Sequence, residues 1–310
     1  MIKSIVGRML SMVLVLWVII TVTFVLMHAI PGGPFTSEKA LPEAVMKNIE
    51  ARYRLNDPLP KQYVDYWANL LQGDLGPSFK YESRTVNEII AEGFPVSAEL
   101  GLIAVSFSVL IGIPAGMAGA LYQNRWPDHL VMLLATVGIS VPSFILATVL
   151  IYIFALWLQL LPAAMWGSPE YVILPALALA GMPTAFIARL TRSSMLEVLA
   201  QDYIRTARAK GIAPLKILWL HALKNALLPV VTYLGPMIAA IFTGSFVIES
   251  IFAIPGLGRH FVTSIYNRDY TVILGITVFY SALLVLMNFL VDLAYLWLDP
   301  RIKMDGEDQH

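Results

Sequence analysis

The side chains of this sequence that could do chemistry are densest in residues 202–214, between two strongly apolar stretches. Arg205, Arg208 and Lys210 stand close together there and are followed by Gly211. Cations at this helical spacing can pair with carboxylates of another protein, but the run contains no arrangement of nucleophile, general base or metal ligands. A basic insert of this kind indicates a surface that a partner outside the membrane grips, and so predicts binding rather than catalysis.

Sequence signatures of catalysis are absent from the chain. Gly256-Leu-Gly258 has neither the lysine nor the spacing of a phosphate-binding loop, so a primary pump would need ATP to be used by another chain. There is no Gly-x-Ser-x-Gly or His-Glu-x-x-His motif, and the five histidines are scattered. The chain has no cysteine, which excludes disulfides and thiolate-bound metals. We therefore expect no metal, no bound cofactor and no enzymatic activity, which disfavours an intramembrane enzyme.

Few ionisable residues lie near the apolar stretches: Glu99, Arg189, Glu249 and Asp292. The first three stand near predicted span ends and can reach the membrane interface, whereas Asp292 is deeper. A proton-coupled secondary transporter with Asp292 and Glu249 as carriers is therefore an alternative, and Asp292→Asn would abolish its transport. This alternative does not explain the basic insert.

The elements that carry these residues are expected to be membrane helices. Hydrophobic residues make up 58% of the 310 positions, and the mean hydropathy is +0.71. Charged residues make up 14%, against about 25% in soluble domains. Six stretches reach the roughly 20 residues that a span needs: 9–30, 98–121, 130–160, 171–190, 226–248 and 272–298. The third of these stretches is long and is expected to tilt or to extend beyond the bilayer. The fold class is therefore an all-α polytopic membrane protein with six transmembrane helices, and the net charge of zero gives no indication of nucleic acid.

The basic residues predict the orientation in the lipid bilayer. Lys3 and Arg8 precede the first span, Arg125 lies in the second connection, and a larger group surrounds the fourth, whereas the connection near residues 162–170 has none. The positive-inside rule then places both termini and the even-numbered connections in the cytoplasm. The predicted divisions are a cytoplasmic N-terminus with the first helix (1–30), a small external helical insert (31–97), a five-helix core (98–298) containing a cytoplasmic segment (193–225), and a cytoplasmic tail (299–310).

The external segment 31–97 is expected to hold two helices. The first opens near Pro42, and the second runs from about Pro60 to Gln72, where Gly73 fits its C-terminal cap. The surface of the second helix either caps the bundle or docks an extracytoplasmic partner. Its apolar side is formed by Tyr63, Tyr66, Trp67 and Leu70.

The basic insert is predicted to be two short helices joined by a turn. Arg208 and Lys210 complement the dipole at the end of the first helix, and Gly211 takes the left-handed geometry that terminates it. Pro214 opens the second helix, and Ala207 lets the two helices pack closely. A stripe on the second helix follows a three-to-four-residue rhythm and must pack on the bundle or fill a partner's groove. The stripe is Leu215, Leu218, Trp219, Ala222 and Leu223.

At this insert the sequence resembles a known family. The resemblance rests on Arg192-Ser-Ser-Met-Leu-Glu197, Asp202-Tyr-Ile-Arg-Thr-Ala-Arg-Ala-Lys-Gly211 and His221-Ala-Leu-Lys-Asn-Ala-Leu-Leu-Pro229. These segments look like the signature of the permeases of ABC importers of the peptide and nickel group. Arg205-Thr206-Ala207 takes the position of the Glu-Ala-Ala loop of binding-protein-dependent permeases, and His221-Ala-Leu-Lys224 replaces the Ile-x-Leu-Pro of the general pattern.

Other segments extend the resemblance over nearly the whole chain. They are Gly73-Asp-Leu-Gly-Pro-Ser78, Phe94-Pro-Val-Ser-Ala98, Glu249-Ser-Ile-Phe-Ala-Ile-Pro-Gly-Leu-Gly258 and Asn267-Arg-Asp-Tyr270. Pro31-Gly-Gly-Pro-Phe-Thr36 and Asn48-Ile-Glu-Ala-Arg-Tyr53 are most similar to the B-type permease of the oligopeptide importer.

The resemblance implies a permease subunit of the bacterial inner membrane that imports oligopeptides. A second homologous permease would complete the path, and two ABC ATPase subunits, which bind ATP and Mg, would each grip one insert. A periplasmic peptide-binding protein would deliver the substrate. Dipeptides, glutathione and nickel chelates stay open within the family, because the binding protein makes most of the selection. The implied ATPase-coupling residues are Arg205, Ala207, Arg208, Lys210, Gly211, Pro214, Leu215 and Leu218.

A peptide path should offer hydrogen-bonding groups without a deep charge. Prolines interrupt the spans, and Gly112 and Gly116 form a pair of small residues that lets helices approach closely, so the helices are expected to shift against each other. The loop formed by Pro255, Gly256 and Gly258 is interpreted as an external gate or as a tight turn. The candidates for the path, which could instead make ordinary bonds between helices, are Ser140, Ser143, Thr243 and Ser245.

Overall fold

The structure, a computed structural model, describes residues 2–29, 56–81 and 83–298. Every regular element in these ranges is a helix, as the composition predicts. Two π-helical segments, Ile151–Trp157 and Ile217–Ala222, extend α5 and α8 respectively. The α-helices are α1 (Ile2–Ala29), α2 (Leu59–Leu71), α3 (Val86–Leu121), α4 (Trp126–Ser140), α5 (Ser143–Leu150), α6 (Glu170–Leu199), α7 (Asp202–Ala209), α8 (Pro214–Lys216), α9 (Leu223–Ala226), α10 (Leu228–Gly244), α11 (Phe246–Ile251), α12 (Leu257–Asn267) and α13 (Tyr270–Leu298).

Among the described residues, four helices are long and apolar enough to cross a membrane: Gly7–Ala29 within α1, the whole of α3 and α6, and Tyr270–Leu290 within α13. Two bent pairs pass the same test together. They are Trp126–Ser140 with Ser143–Trp157, and Ile217–Ala226 with Leu228–Phe242. With each bent pair counted as one span, the described residues hold six spans in the order that hydropathy predicts.

The third predicted span, 130–160, is not one continuous helix. The chain bends by 112° between α4 and α5. Val141 is extended at φ −88° and ψ 119°, because the ring of the following Pro142 disfavours helical geometry at the preceding residue. Hydropathy identifies the length of an apolar run but not its direction, so the proline was the better guide here.

The external segment is partly described. Helix α2 lies within one residue of its predicted bounds and is followed by Gly73 at φ 77°. Residues 86–97, which the sequence assigns to this segment, form the first turns of the 36-residue helix α3. The helix predicted near Pro42 and the tail 299–310 lie outside the described residues.

The first of two compact units comprises Met1–Pro95 and Gly256–Val285. In it, Thr21 of α1 and Tyr63 of α2 share a hydrogen bond of 2.6 Å between hydroxyls, and the Phe24 ring meets the Tyr63 ring edge-on with centroids 5.3 Å apart. These contacts fix α2 against α1. The buried core of the unit is formed by Val86, Ile89, Ile90, Leu257, Val272 and Ile276.

The second unit comprises Val96–Pro255 and Leu286–His310. Its helices α3 and α6 cross with almost no space between them. A β-carbon at Gly116 would lie 2.4 Å from the carbonyl oxygen of Ala188, and one at Gly112 would lie 2.8 Å from the Ile187 side chain. The close approach predicted from this pair of small residues is therefore confirmed.

Candidate functional site

The insert begins where α6 ends, and its first helix, α7, has one buried face. Ile204 is fully buried and Ala207 is 7% exposed. They belong to an apolar cluster with Met195 of α6 and with Met117 and Ala120 of α3. The charged residues of α7 point the other way, as an amphipathic helix on a protein surface requires.

The turn after α7 is closed by backbone hydrogen bonds. The amide of Gly211 donates to the carbonyl of Arg208 at 3.0 Å, and the amide of Ile212 donates to that of Ala207 at 3.3 Å. Gly211 has φ 72°, the left-handed geometry predicted for it. A β-carbon there would meet nothing within 4 Å, so glycine is required for the backbone conformation and not for space.

The second half of the insert departs from the predicted stripe. Leu218 is 6% exposed, but Leu215 is 71% exposed and Trp219 59% exposed, so the expectation of one common face is wrong. The reason is the π-helical segment, which widens the turn so that buried positions recur at intervals of five rather than of three and four. The buried residues in this part are Ile217, Leu218, Ala222, Leu223 and Ala226.

The outer face of the insert combines cations with exposed apolar groups. Arg205 and Asp202 form an exposed ion pair at 3.4 Å, and the Asn225 amide donates to the Tyr203 hydroxyl at 2.8 Å across the two halves. Pro214 begins α8, and its side chain lies outside the described residues. Other exposed charged or large apolar side chains of this face include Arg208, Lys210, Leu215, Lys216, Trp219 and Leu220. Such a face suits a partner groove with an apolar floor and acidic groups at its rim.

The four serine and threonine candidates for the path do not form one group. Ser140 is exposed at the end of α4, and Ser143 is half-buried at the start of α5, so these two flank the 112° bend. Ser245 is 1% exposed and donates to Glu249. The side chain of Thr243 lies outside the described residues.

Glu249 is fully buried, which the sequence did not indicate, because its position near a span end suggested contact with the interface. Its Oε1 atom accepts hydrogen bonds from the Ser245 hydroxyl at 2.5 Å and from the Ser97 hydroxyl at 2.8 Å. The carboxylate therefore joins α3 to α11 within the second unit. A buried carboxylate needs such donors, because water is not available to solvate it.

The loop predicted as a gate is largely buried. Gly256 and Gly258 are buried, whereas Pro255 is exposed. A β-carbon at Gly93 of α3 would lie 3.0 Å from both N and Cα of Leu257, so the backbone at the start of α12 touches α3 directly. Sequence reasoning missed Gly93, although a glycine one residue before Phe94-Pro95 was a usable signal of close approach.

Asp269 joins two of the segments that carry the resemblance, 73–78 and 267–270. Its fully buried carboxylate accepts hydrogen bonds from the Ser78 hydroxyl at 2.5 Å and from the amides of Phe79 and Lys80 at 3.1 and 3.3 Å. It also accepts from the Thr271 hydroxyl at 3.0 Å, at the N-terminal end of α13, where a negative charge is favourable. Sequence reasoning did not single out this residue.

A cavity of about 430 Å³ lies within the first unit, between the end of α1, helix α2 and the start of α13. The buried hydroxyls of Tyr66 and Tyr270 line it and have no hydrogen-bond partner among the described residues. Burial raises the pKa of Tyr66 to about 12, which reinforces the neutral state that a tyrosine hydroxyl already has at physiological pH.

Comparisons with known proteins identify the family. A model described as "Binding-protein-dependent transport system inner membrane component" matches residues 109–304, and the model of the N-terminal part of such components matches residues 1–101. The chain belongs to this family. It is therefore a multi-pass inner membrane protein and a component of a binding-protein-dependent transport system.

Relatives in the family match over almost their full length. The dipeptide transport system permease protein DppB of Bacillus subtilis is 56% identical over 98% of this chain and 99% of its own. The oligopeptide transport system permease proteins OppB of Haemophilus influenzae and of Salmonella typhimurium are 49% and 48% identical, over 98% of this chain and all of theirs.

Solved structures with the same fold are more distant in sequence. A chain of the MetNI methionine ABC transporter in an inward-facing conformation has a TM-score of 0.58 at 20% identity, covering 68% of this chain and 96% of its own. A chain of an amino acid ABC transporter has a TM-score of 0.53 at 17% identity, covering 67% of this chain and 93% of its own. These likenesses bear on the fold alone.

Proposed function

We propose that this chain is a permease subunit of an ATP-driven peptide importer and forms half of its translocation path together with a second homologous permease. The observation that carries the proposal is the insert, which is anchored by Ile204 and Ala207 but presents an apolar and cationic face outward. The names of the relatives, which are permeases of dipeptide and oligopeptide systems, support peptides as the substrate class.

Two ATPase subunits, which bind ATP and Mg, are the proposed partners of the inserts, one for each permease. Arg205, Arg208 and Lys210 are exposed and can meet acidic groups at the rim of an ATPase groove, while Leu215 fills its apolar part. Leu218 and Ala207 pack against the membrane helices, so a movement that the ATPases impose on the insert is passed to those helices. Gly211 and Pro214 set the angle between the two halves of the insert.

The orientation follows from the same assignment. Partners that hydrolyse ATP require the insert, and with it both termini, to be cytoplasmic, in agreement with the distribution of basic residues. Segment 31–97 then faces the periplasm, where a peptide-binding protein delivers the substrate. Pro255, Gly256 and Gly258 lie in the loop proposed as the gate on that side.

Oligopeptides are the substrate that the sequence segments favour. Dipeptides are the second candidate, because the dipeptide permease of Bacillus subtilis is more similar to this chain, at 56% identity, than the oligopeptide permeases at 48–49%. The two substrates are distinguished by competition: a labelled pentapeptide is offered to proteoliposomes in the presence of an excess of unlabelled dipeptide, and the reverse experiment is run in parallel.

The decisive experiment reconstitutes this chain with its second permease and ATPases in liposomes and measures ATP hydrolysis with and without peptide-loaded binding protein. We expect hydrolysis only with the ATPases present, and stimulation by the loaded binding protein. Transport by this chain alone, driven by a proton gradient, would overturn the proposal.

A pair of tryptophan variants tests the insert face within that experiment. Trp219→Ser removes a 59% exposed ring from the insert and should weaken ATPase binding, because buried tryptophans at interfaces commonly contribute about 2 kcal/mol or more. Trp157→Ser removes a 73% exposed ring outside the insert and should leave ATPase binding unchanged. Equal effects of the two variants on ATPase copurification would contradict the assignment.

A further inference from the structure

A partly buried ion pair lies near the end of α6 that leads into the insert. The guanidinium of Arg192 donates two hydrogen bonds to the carboxylate of Asp128 in the first turn of α4, from Nε to Oδ1 at 2.5 Å and from Nη2 to Oδ2 at 2.7 Å. The side chains are 21% and 2% exposed respectively. This two-pronged geometry fixes distance and orientation together, unlike a single contact between point charges.

The surroundings of the pair are shaped to hold it. The backbone amide of Asn124, in the connection before α4, donates to Oδ2 of Asp128 at 2.9 Å. On α3, Gly119 leaves just enough room, because a β-carbon there would lie 3.3 Å from Cδ of Arg192 and 3.4 Å from Oδ1 of Asp128. Three helices, α3, α4 and α6, therefore meet at this pair within the second unit.

The pair adjoins the packing that anchors the insert. Met195, one turn after Arg192 in α6, is fully buried in the cluster that also contains Ile204 and Ala207 of α7. A displacement of α7 therefore acts on α6 immediately beside Arg192. Close-packed side chains of this kind transmit displacement because they leave no free volume to absorb it.

From the pair, a continuous contact leads along α4 to the bend. Helix α4 packs on α6 so closely that a β-carbon at Gly138 would lie 2.8 Å from Cβ of Ala185. Two residues after Gly138, α4 ends at Ser140, where the chain bends by 112°. The ion pair at the first turn and the glycine contact near the last turn thus hold α4 to α6 at both ends.

We propose, on the basis of the function proposed above, that the Asp128–Arg192 pair is a mechanical link through which movement of the insert is transmitted to α4 and to the bend beside Ser140 and Ser143. In this proposal Asp128 and Arg192 act as positioning residues, through the helices that they join. Because the carboxylate is buried, separating the two charges would leave an uncompensated charge out of water, so the link stays closed while the helices move as one body.

The test replaces the ion pair by an apolar pair of similar size, Asp128→Leu with Arg192→Met, in the reconstituted importer. Apolar replacements of buried ion pairs usually keep a protein folded, so assembly and basal ATP hydrolysis should be retained. The amount of peptide imported per ATP hydrolysed should fall about tenfold, which is within the usual range of coupling between sites. Arg192→Lys keeps the charge but not the two-pronged geometry. Its ratio of peptide imported to ATP hydrolysed should lie between that of the wild type and that of the apolar double variant.

The matched control is Arg189→Gln. Arg189 lies one turn earlier on the same helix and also donates to α4, at the Thr136 hydroxyl at 3.1 Å, but it is exposed. Its loss should leave the ratio of peptide to ATP unchanged. An equal effect of this variant would show that any polar contact between α4 and α6 suffices, which would overturn the proposal.

A distance measurement separates a link from a merely stabilising contact. The chain has no cysteine, so cysteines introduced at Leu134 of α4 and Thr206 of α7, both exposed, carry the only spin labels of this subunit when the partners are cysteine-free. With the ion pair intact, the distance between the labels should stay constant through the ATP cycle. In the apolar double variant it should broaden or shift when ATP binds.

Each other outcome rejects the link. Import per ATP equal to the wild type in the apolar variant would show that the pair only stabilises the fold. Failure of both the apolar double variant and Arg192→Lys to assemble would show a requirement for folding instead. If the wild-type complex itself shows no ATP-driven import, the proposed function fails, whereas normal coupling in wild type and variants alike rejects only the link.

Discussion

Gly211 sets the geometry of the turn in the insert through a single backbone angle. Its φ of 72° lies in the region that residues with a β-carbon enter at a cost of about 1–2 kcal/mol. No neighbouring atom within 4 Å would obstruct a side chain, so the cost is one of conformation alone. A substitution there should therefore change the angle of the turn while leaving the membrane helices intact.

Gly211→Leu is expected to leave the protein inserted in the membrane at normal levels but to reduce peptide-stimulated ATP hydrolysis strongly. The matched control is Gly73→Leu, because Gly73 has a similar φ of 77° and equally open surroundings but lies outside the insert. Both variants pay the same conformational cost, and only the first should uncouple transport. Normal transport by Gly211→Leu would contradict the role assigned to the turn.

Asp269 acts at the same scale, as the acceptor for several donors of the segment that follows Gly76. Removing its carboxylate leaves the buried Ser78 hydroxyl without the acceptor that Asp269 provides, at about 1–3 kcal/mol for an unsatisfied buried group. Asp269→Ala should therefore lower the midpoint of thermal unfolding, measured on the purified protein, by several degrees. Asp269→Asn keeps one acceptor oxygen, so its unfolding midpoint should lie between those of the wild type and of Asp269→Ala.

Asp57 provides the contrast for that measurement. It lies just before α2 and pairs at 2.9 Å with Lys61 in the first turn of that helix, with the two side chains 27% and 57% exposed. Exposed pairs of this kind contribute about 0–1 kcal/mol. Asp57→Ala should leave the unfolding midpoint almost unchanged, and a loss equal to that of Asp269→Ala would contradict the structural role given to Asp269.

At the scale of elements, α7 packs on the bundle through a small buried face formed by Ile204 and Ala207. Ala207 packs against a buried cluster, so a larger side chain has no space there. Ala207→Leu should cost about 1–3 kcal/mol of packing strain, push α7 away from the bundle and lower ATP-coupled import. The neighbouring Thr206 is exposed, and Thr206→Leu should have little effect on import. Equal loss in the two variants would indicate that bulk on α7, and not its packing, is the cause.

The π-helical segment Ile217–Ala222 explains why the sequence pattern mispredicted which residues of the second half of the insert are buried. A stripe at intervals of three and four assumes 3.6 residues per turn, whereas the wider π turn moves Leu215 and Trp219 to the outside. No local composition marks this widening, since the same residues would form a regular α-helix in isolation. The contacts of Leu218 and Ala222 with the bundle decide the register.

At the scale of the whole molecule, the competing hypothesis is a transporter driven by protons through Asp292 and Glu249. Glu249 is fully buried and accepts hydrogen bonds from the hydroxyls of Ser97 and Ser245. These contacts indicate that its carboxylate holds helices together and does not carry protons. We expect Asp292→Asn to leave ATP-driven import unchanged and expect dissipation of the proton gradient to have no direct effect on it. Loss of import in either case, measured in proteoliposomes with constant ATP, would restore the proton-driven hypothesis.

The sequence by itself determined the all-α class, the approximate positions of six apolar spans, the basic insert and the glycine at its turn. Each of these follows from composition, run length or a local backbone preference, which are properties of neighbouring residues. The close crossing at Gly112 and Gly116 was also predictable, because small residues four positions apart recur on one helix face.

Only the tertiary structure decided which residues meet across long separations in the chain. The pairing of Asp128 with Arg192, the enclosure of Glu249 by Ser97, and the joining of Ser78 to Asp269 each connect residues that are distant in sequence. A single sequence records residue types but not partners, and a buried charge cannot be recognised from its neighbours when its compensation comes from another helix. The packing between helices therefore determines which residues pair at these sites, whereas local sequence preferences determine which segments form helices.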